Sequence, residues 1–316
     1  MKVPFHLRPN KAVDRFLFFE TLSRLSRGID IESRTYIGFG GPFLSDVKHL
    51  LAYFPSMRAV SIERKDSVYR RQQRHRPARL VECRKESLES YVLNALPDVR
   101  QCVAWLDFCG VSADDVGDIC RFVAACPVGT LLRITFRVGI PTQYGESREQ
   151  SWSRIREQLP GCLPMISSAT PADRDAEYKV IREAYKNAID AALLARDPSI
   201  SFVPLQASQY ADTVQMYSIL GIIGDSSASS EAVGMLRGWE FYSNSWDDVH
   251  PVQMPILSSQ ERLFLAQRLP QPSGTGRGLH RDLGYRVGDS EKESVKLLNC
   301  FRKLSAGCPH FGQIDI

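Results

Sequence analysis

Short apolar runs alternate with helix-like segments over about 110 residues of this 316-residue chain. The predicted strands are Thr35–Ile37, Met57–Ile62, Leu80–Cys83, Cys102–Leu106 and Thr130–Phe136. The helices predicted between them are Phe43–Tyr53, Asp66–Arg76, Ser87–Leu96 and Asp115–Ala125. Strands that alternate with helices in this way favour an α/β fold with a parallel, doubly wound sheet.

The segments on either side of this alternation have other patterns. A first helix is predicted over Lys11–Arg27, with Asn10 as its N-cap. Beyond Gly139 the chain is polar and rich in proline, and it then contains predicted helices, strands and a loop. These are a helix at Glu177–Arg196, two strands at Ile200–Leu205 and Val214–Ile223 that we expect to be antiparallel, a loop at Pro270–Gly278 and a last helix at Glu291–Leu304.

Composition narrows the class of protein without defining its function. The chain is 43% hydrophobic and 24% charged, with a net charge of +4, as in ordinary globular proteins. No apolar segment resembles a signal peptide or is long enough to span a bilayer. The eight cysteines form no CxxC pair, so we expect a reducing, cytoplasmic location and no metal site.

A glycine cluster follows the first predicted strand. It reads Gly38-Phe39-Gly40-Gly41, and the second predicted strand ends at Glu63. Glycines let the backbone approach a nucleotide cofactor closely, and a carboxylate at the next strand end can accept hydrogen bonds from both ribose hydroxyls. Phe43 stands where a dinucleotide motif needs its third glycine, which disfavours NAD. A tight turn that binds no ligand is the structural alternative.

Polar residues also follow the third and fourth predicted strands. Asp107 and Phe108 stand at the carboxyl end of the fourth strand, where open α/β sheets bind ligands. Asp107 can face the acceptor or cap the following turn, and Cys109 is interpreted as an inert, buried thiol. Glu86 can contact an adenine edge, whereas Ser87 can instead cap the next helix.

Taken together, these motifs resemble the class I S-adenosylmethionine-dependent methyltransferase superfamily, and in particular bacterial proteins assigned as O-methyltransferases. The resemblance covers roughly residues 30 to 225. It implies a Rossmann-like, doubly wound, mostly parallel sheet of about seven strands, the last one antiparallel, with helical additions at both ends. The implied domains are an N-terminal helical extension (1–30), a methyltransferase domain (31–225) and a C-terminal extension (226–316) that packs on the core or on a partner.

The resemblance also implies a cofactor, S-adenosyl-L-methionine, and a set of contacts. Gly38, Gly40 and Gly41 would face its methionine part, Glu63 its ribose, and Asp107 its reacting end. The superfamily usually has an acid two residues before the first glycine, and Tyr36 takes that place here. The implied function is methyl transfer to an unidentified acceptor. The alternative is an inactive protein of this fold that binds nucleic acid or a protein partner.

A basic segment follows the second predicted strand. Between Arg64 and Lys85 there are nine lysines and arginines and only two acids. On a helix, Arg70, Arg71 and Arg74 share one side. They can contact the phosphates of a nucleic acid or nucleotide, or form a solvated helix face. A homo-oligomer or a protein partner through the C-terminal region is the other interaction that the sequence allows.

Overall fold

The computed structural model describes residues 9–140, 142, 145–159, 161–162, 170–211, 213–269 and 275–308. It divides into two compact units. The larger contains residues 18–209 and 214–250, and the smaller contains residues 1–17, 210–213 and 251–316.

The strands of the described residues follow the predicted alternation closely. They are β1 (Thr35–Gly38), β2 (Arg58–Ile62), β3 (Val81–Arg84), β4 (Cys102–Asp107), β5 (Thr130–Arg137), β6 (Ser201–Ala211), β7 (Gln215–Gly224) and β8 (His250–Val252). The first seven lie in the order β3-β2-β1-β4-β5-β7-β6 across the sheet. Each neighbouring pair among β1 to β5 is parallel, and β7 runs antiparallel to β5. The predicted fold class, a Rossmann-like sheet with a late antiparallel strand, is thus confirmed.

Helices of the larger unit cover both faces of this sheet. Over both units, the helices of the described residues are α1 (Pro9–Leu25), α2 (Ser45–Tyr53), α3 (Asp66–His75), α4 (Leu88–Asn94), α5 (Ala113–Ala125), α6 (Arg148–Gln158), α7 (Arg174–Arg196), α8 (Ser226–Leu236), α9 (Ser259–Ala266), α10 (Gly276–Leu283) and α11 (Glu291–Leu304). One apolar core joins the sheet to α4, α5, α6 and α7. A second core joins the opposite face to the end of α1, to α2 and to α8. The larger unit is therefore a three-layer α/β/α structure.

The two cores depend on side chains that alternate along each strand. In β4, Ala104 and Leu106 belong to the first core, whereas Val103 and Trp105 belong to the second. Residues that alternate along a strand point to opposite faces, so a strand covered on both sides must be apolar almost throughout. This requirement explains why the buried strands were recognisable as continuous apolar runs.

The smaller unit joins segments that are distant in sequence. The side-chain amide of Asn10 donates to the carbonyl oxygen of Ala211 (2.7 Å), and its oxygen accepts from the N–H of Met254 (2.8 Å). Asn10 lies inside α1, so its prediction as an N-cap was wrong. Its half-buried amide bridges two other segments of the same unit.

The helices α6, α8 and α10 were not predicted from the sequence. The helices α6 and α8 fall in segments that lacked a clear apolar period, and α10 begins at Gly276, inside the predicted loop at 270–278. A side chain at Gly276 would lie 2.3 Å from the carbonyl oxygen of Val295, so glycine allows α10 to pack closely against α11. Residues 270–274 of that predicted loop lie outside the described residues.

Candidate active site

The predicted site residues come together at one edge of the sheet. Parallel pairing aligns Gly38 of β1 with Ser61 of β2 and with Trp105 of β4, so the loops that follow these strands leave the same edge. The rings of Phe39 and Phe108 pack edge to face with their centroids 5.4 Å apart. The glycine turn after β1 therefore contacts the segment that follows β4.

Gly38 ends β1 under a steric constraint from its own strand. A side chain there would lie 2.9 Å from the hydroxyl oxygen of Tyr36 and 3.2 Å from the carbonyl oxygen of Trp105. Tyr36 is fully buried, at the position where the resembling superfamily usually has an acid. Packing alone thus accounts for a glycine at position 38.

The next two glycines shape the turn itself. Gly40 and Gly41 have φ angles of 64° and 58°, in the left-handed region that side chains rarely adopt. A side chain at Gly40 would also lie 2.6 Å from the hydroxyl oxygen of Ser61. In contrast, an added Cβ at Gly41 would meet no atom within 4 Å. Gly41 is therefore the glycine of this turn that leaves open space beside the backbone.

Two polar side chains that the sequence analysis did not single out hold the turn in place. The amide of Gln72, on α3, donates to the carbonyl oxygens of Phe39 (2.8 Å) and Gly41 (3.0 Å). The hydroxyl of Ser61 donates to the same Phe39 oxygen at 3.0 Å. Gln72 is the buried residue of α3, on an otherwise accessible basic helix. These bonds fix the carbonyls on the protein side of the turn.

The helix that follows the turn begins without a side-chain cap. Leu44 occupies the N-cap position of α2 in a left-handed conformation (φ 52°), and its apolar side chain caps no backbone N–H. The N–H groups at a helix N-terminus favour an anion, which the helix dipole also attracts. Asp46 is buried in the first turn of the same helix.

The two glutamates that follow β2 and β3 differ in their surroundings. Glu63 is half-buried, and one of its carboxylate oxygens accepts from the backbone N–H of Lys65 at 2.7 Å. Glu86 is held between Arg84 (3.4 Å) and the hydroxyl of Ser90 (2.8 Å). Ser87 caps α4 by accepting from the N–H of Ser90, which is the structural alternative for this segment.

The segment after β4 places more carboxyl groups at the same edge. Asp107 is half-buried at the strand end, and Phe108 is buried beside Phe39. Cys109 is exposed, so its interpretation as a buried thiol was wrong.

Burial raises the pKa of Asp115, whose carboxylate lies 3.3 Å from where a side chain at Gly110 would begin. Asp115 is a further titratable group that the sequence analysis missed, and perturbed carboxyl groups in clefts are frequent at functional sites.

The three arginines predicted on one side of α3 have separate environments. Arg70 pairs with Asp66 at 2.7 Å, and the guanidinium of Arg71 lies 4.7 Å from the ring centroid of Phe43, beside the glycine turn. Arg74 is exposed. Such exposed ion pairs contribute little to stability, so these side chains remain available to solvent.

The described residues contain neither a candidate metal centre nor a candidate membrane-spanning helix. There, no three His, Cys, Asp or Glu side chains are arranged to hold a metal ion. None of the helices in the described ranges combines the length and apolar character needed to span a membrane.

The strand order and the glycine turn define a Rossmann-like methyltransferase fold. Residues 3–316 match the model of the family described as "Putative O-methyltransferase", and the chain therefore belongs to that family. The methyltransferase predicted from the sequence is thereby confirmed as the class of enzyme. The family assignment leaves the acceptor undefined.

Comparisons with individual proteins gave more distant similarities. A search of curated proteins found no match. A SAM-dependent methyltransferase from Anabaena variabilis shares 10% identity, with a TM-score of 0.40 over 68% of this chain and 86% of that one. An O-methyltransferase family protein from Burkholderia thailandensis shares 13%, with a TM-score of 0.33 over 67% and 60%. The plantazolicin methyltransferase BpumL in complex with SAH shares 8%, with a TM-score of 0.37 over 67% and 84%.

Proposed function

We propose that this protein binds S-adenosylmethionine at the edge formed by the ends of β1, β2 and β4, and transfers its methyl group to an oxygen of an acceptor. The family supports methyl transfer to oxygen, and the local geometry supports the location. Within the chain, we propose residues 31–225 as the catalytic domain, with residues 1–30 and 226–316 as additions.

The cofactor is assigned by matching its chemical groups to the residues at this edge. Open space beside Gly41 admits the methionine part, and the uncapped start of α2 offers N–H groups to its carboxylate. Glu63 keeps a carboxylate oxygen beyond its bond to Lys65 for a ribose hydroxyl. Glu86, already held by Arg84 and Ser90, is proposed to face the adenine.

The acceptor is proposed to lie beside Asp107, with Phe39 and Phe108 as an apolar wall. Methyl transfer is an in-line displacement, in which the acceptor oxygen attacks the methyl carbon as the carbon–sulfur bond breaks. Catalysis then comes largely from holding donor and acceptor in line. Asp107 would accept the proton that the acceptor hydroxyl loses.

One observation carries the assignment. The turn has two successive glycines with positive φ, the side chain of Gln72 donates to its carbonyl oxygens, and the space beside Gly41 is open. A turn needed only for chain reversal requires the positive φ angles. Open space alone does not single out Gly41, because Gly129 shares it. Gly41 differs in its position, since it follows β1 at the edge where the parallel strands end, which is where open α/β sheets bind ligands.

A matched pair of variants tests this proposal. Gly41→Ala and Gly129→Ala both place a methyl group at a positive φ (58° and 87°) where an added Cβ meets nothing within 4 Å. Each should cost about 1 kcal/mol of stability. Only Gly41→Ala should weaken the binding of S-adenosylmethionine and S-adenosylhomocysteine, with a Kd from titration calorimetry that is tenfold higher or more. Folded wild-type protein that binds neither ligand, or equal weakening by both variants, would refute the location.

The second candidate function is a methyltransferase fold that binds a partner without catalysis. The observation in its favour is the buried Tyr36, in place of an acid near the cofactor's amino group. Transfer of a tritiated methyl group to any acceptor fraction of a cell extract excludes this candidate. The cytoplasm is the proposed location, because all eight cysteines are free thiols.

A further inference from the structure

A basic groove lies at the end of the sheet opposite to the glycine turn. Its cavity volume is about 850 Å³, and its walls include the first residues of β1, β2 and β3, such as Thr35, Arg58 and Val81. The turns that precede β3 and β4 and the end of α4 complete it. The groove belongs entirely to the larger unit, and Arg84 is the lining residue that also contacts the proposed cofactor site, through Glu86.

Arginine dominates the charge of this groove. Its lining includes Arg58, Arg76, Arg79, Arg84 and Arg100. Arg84 is neutralised by Glu82 and Glu86, at 2.8 and 3.4 Å. The other four are exposed, and the described residues place no carboxylate within 4.0 Å of any of them. Asp98 is the remaining acid of the lining. The groove thus concentrates positive charge that the protein itself does not neutralise.

The number and arrangement of these arginines indicate the class of ligand. A guanidinium pairs with phosphate through two parallel hydrogen bonds, so four exceed the needs of a single phosphate. Exposed arginines continue beyond the groove along α3, at Arg74 and Arg70. Several separate cations fit a ligand that carries several separate anions. The one aromatic ring of the lining within the described residues, Tyr91, is buried, so it offers no platform for a base.

We propose that this groove binds the phosphodiester backbone of a nucleic acid, without preference for base sequence. The contacts are ionic, through Arg58, Arg76, Arg79 and Arg100. The protein would hold the polyanion at one end of the sheet while the cofactor site occupies the other. This proposal does not depend on methyl transfer, so it can fail or succeed independently of the proposed function.

Fluorescence anisotropy with a labelled 20-nucleotide RNA, at 0.1 M KCl, tests the groove. The variant Arg58→Gln/Arg79→Gln/Arg100→Gln removes three exposed charges. The control Arg27→Gln/Arg174→Gln/Arg237→Gln removes three exposed arginines elsewhere in the same unit. Each lost phosphate contact on a single strand forgoes release of about 0.7 counterion, or about fivefold in affinity at this salt. The groove variant should therefore bind about 100-fold more weakly, with a salt slope shallower by about 2.

Asp98→Asn should tighten RNA binding, because it removes an acid from the groove. Misfolding would weaken binding, so it cannot produce this result. DNA or a duplex of equal length that binds through the same three arginines also supports the proposal. Equal losses in the two triple variants would overturn it, as would wild-type protein that fails to bind at 50 mM KCl. Displacement of the RNA by 1 mM ATP would show that the groove is a site for a small anion. Protein that binds heparin but does not bind RNA would show a site for another polyanion. Either result would also overturn the proposal.

Discussion

Gln72 makes a sharp prediction, because one buried amide holds two carbonyls of the glycine turn. Gln72→Leu keeps the size and helix propensity of the residue and removes both donors. Phe39 retains the bonds from Ser61 and from the N–H of Gly41, whereas among the described residues the Gly41 carbonyl keeps only a long contact (3.5 Å) with the N–H of Leu44. The loss of these two hydrogen bonds, one of which leaves the Gly41 carbonyl poorly satisfied, should lower the free energy of unfolding by about 2–3 kcal/mol. Thermal unfolding should then show a Tm lower by about 3–5 °C.

The same substitution should weaken the binding of S-adenosylmethionine, since the cofactor must then order a less rigid turn. Titration calorimetry should give a Kd about tenfold higher, which corresponds to about 1.4 kcal/mol. Gln73→Leu is the matched control, because Gln73 is exposed on the same helix and its amide donates only at 3.4 Å, to Cys83. If Gln72→Leu and Gln73→Leu have the same Tm and the same Kd, the turn does not depend on Gln72 and the reasoning is refuted.

Two further predictions concern the acceptor side and the core. Asp107→Asn should lower kcat about 100-fold, as expected for loss of a general base, with the Kd for S-adenosylhomocysteine unchanged within threefold. A larger loss in Asp115→Asn would move the base to that residue. Burial raises the pKa of Cys102 to about 12 from 9.0. Above pH 9, the thiol therefore stays protonated in the folded protein but ionises in the unfolded chain. Stability should thus be full below pH 9 and should fall by up to about 1.4 kcal/mol per pH unit above it. Urea unfolding at pH 8 to 10 should show a flatter profile for Cys102→Ala, and parallel profiles would contradict this assignment.

The fold was largely predictable because its central strands are buried on both faces. Such strands must be apolar at nearly every position, so runs such as Cys102–Leu106 stand out in the sequence. The helices that escaped prediction lack such a signal. α8 begins with a serine-rich turn capped by Asp225, and α10 begins with two glycines around Arg277, which is typical of a loop. Tertiary contacts, such as the close packing at Gly276, override these local preferences.

The candidate site was predictable where it lies on strand ends. Gly41, Glu63 and Asp107 come directly after apolar runs, so the topology alone brings their loops to one edge. Gln72 could not be found in this way, because it stands among the basic residues of α3 and nothing local shows that its side chain turns inward. The exposure of Cys109 was equally hidden, since it depends on how the turn after β4 leaves the sheet.

The antiparallel pairing of β5 with β7 has a consequence for how the chain is made. Every residue of β5 from Thr130 to Phe136 is buried, and register pairs Thr130 with Ile223 at one end and Arg137 with Met216 at the other. During synthesis, this buried strand has an open edge until β7 has emerged, after α6 and α7. Open apolar edges invite pairing with other chains. The nascent protein therefore passes through a stage in which a strand that is buried in the folded state has an unpaired edge, and β7 later pairs with that edge.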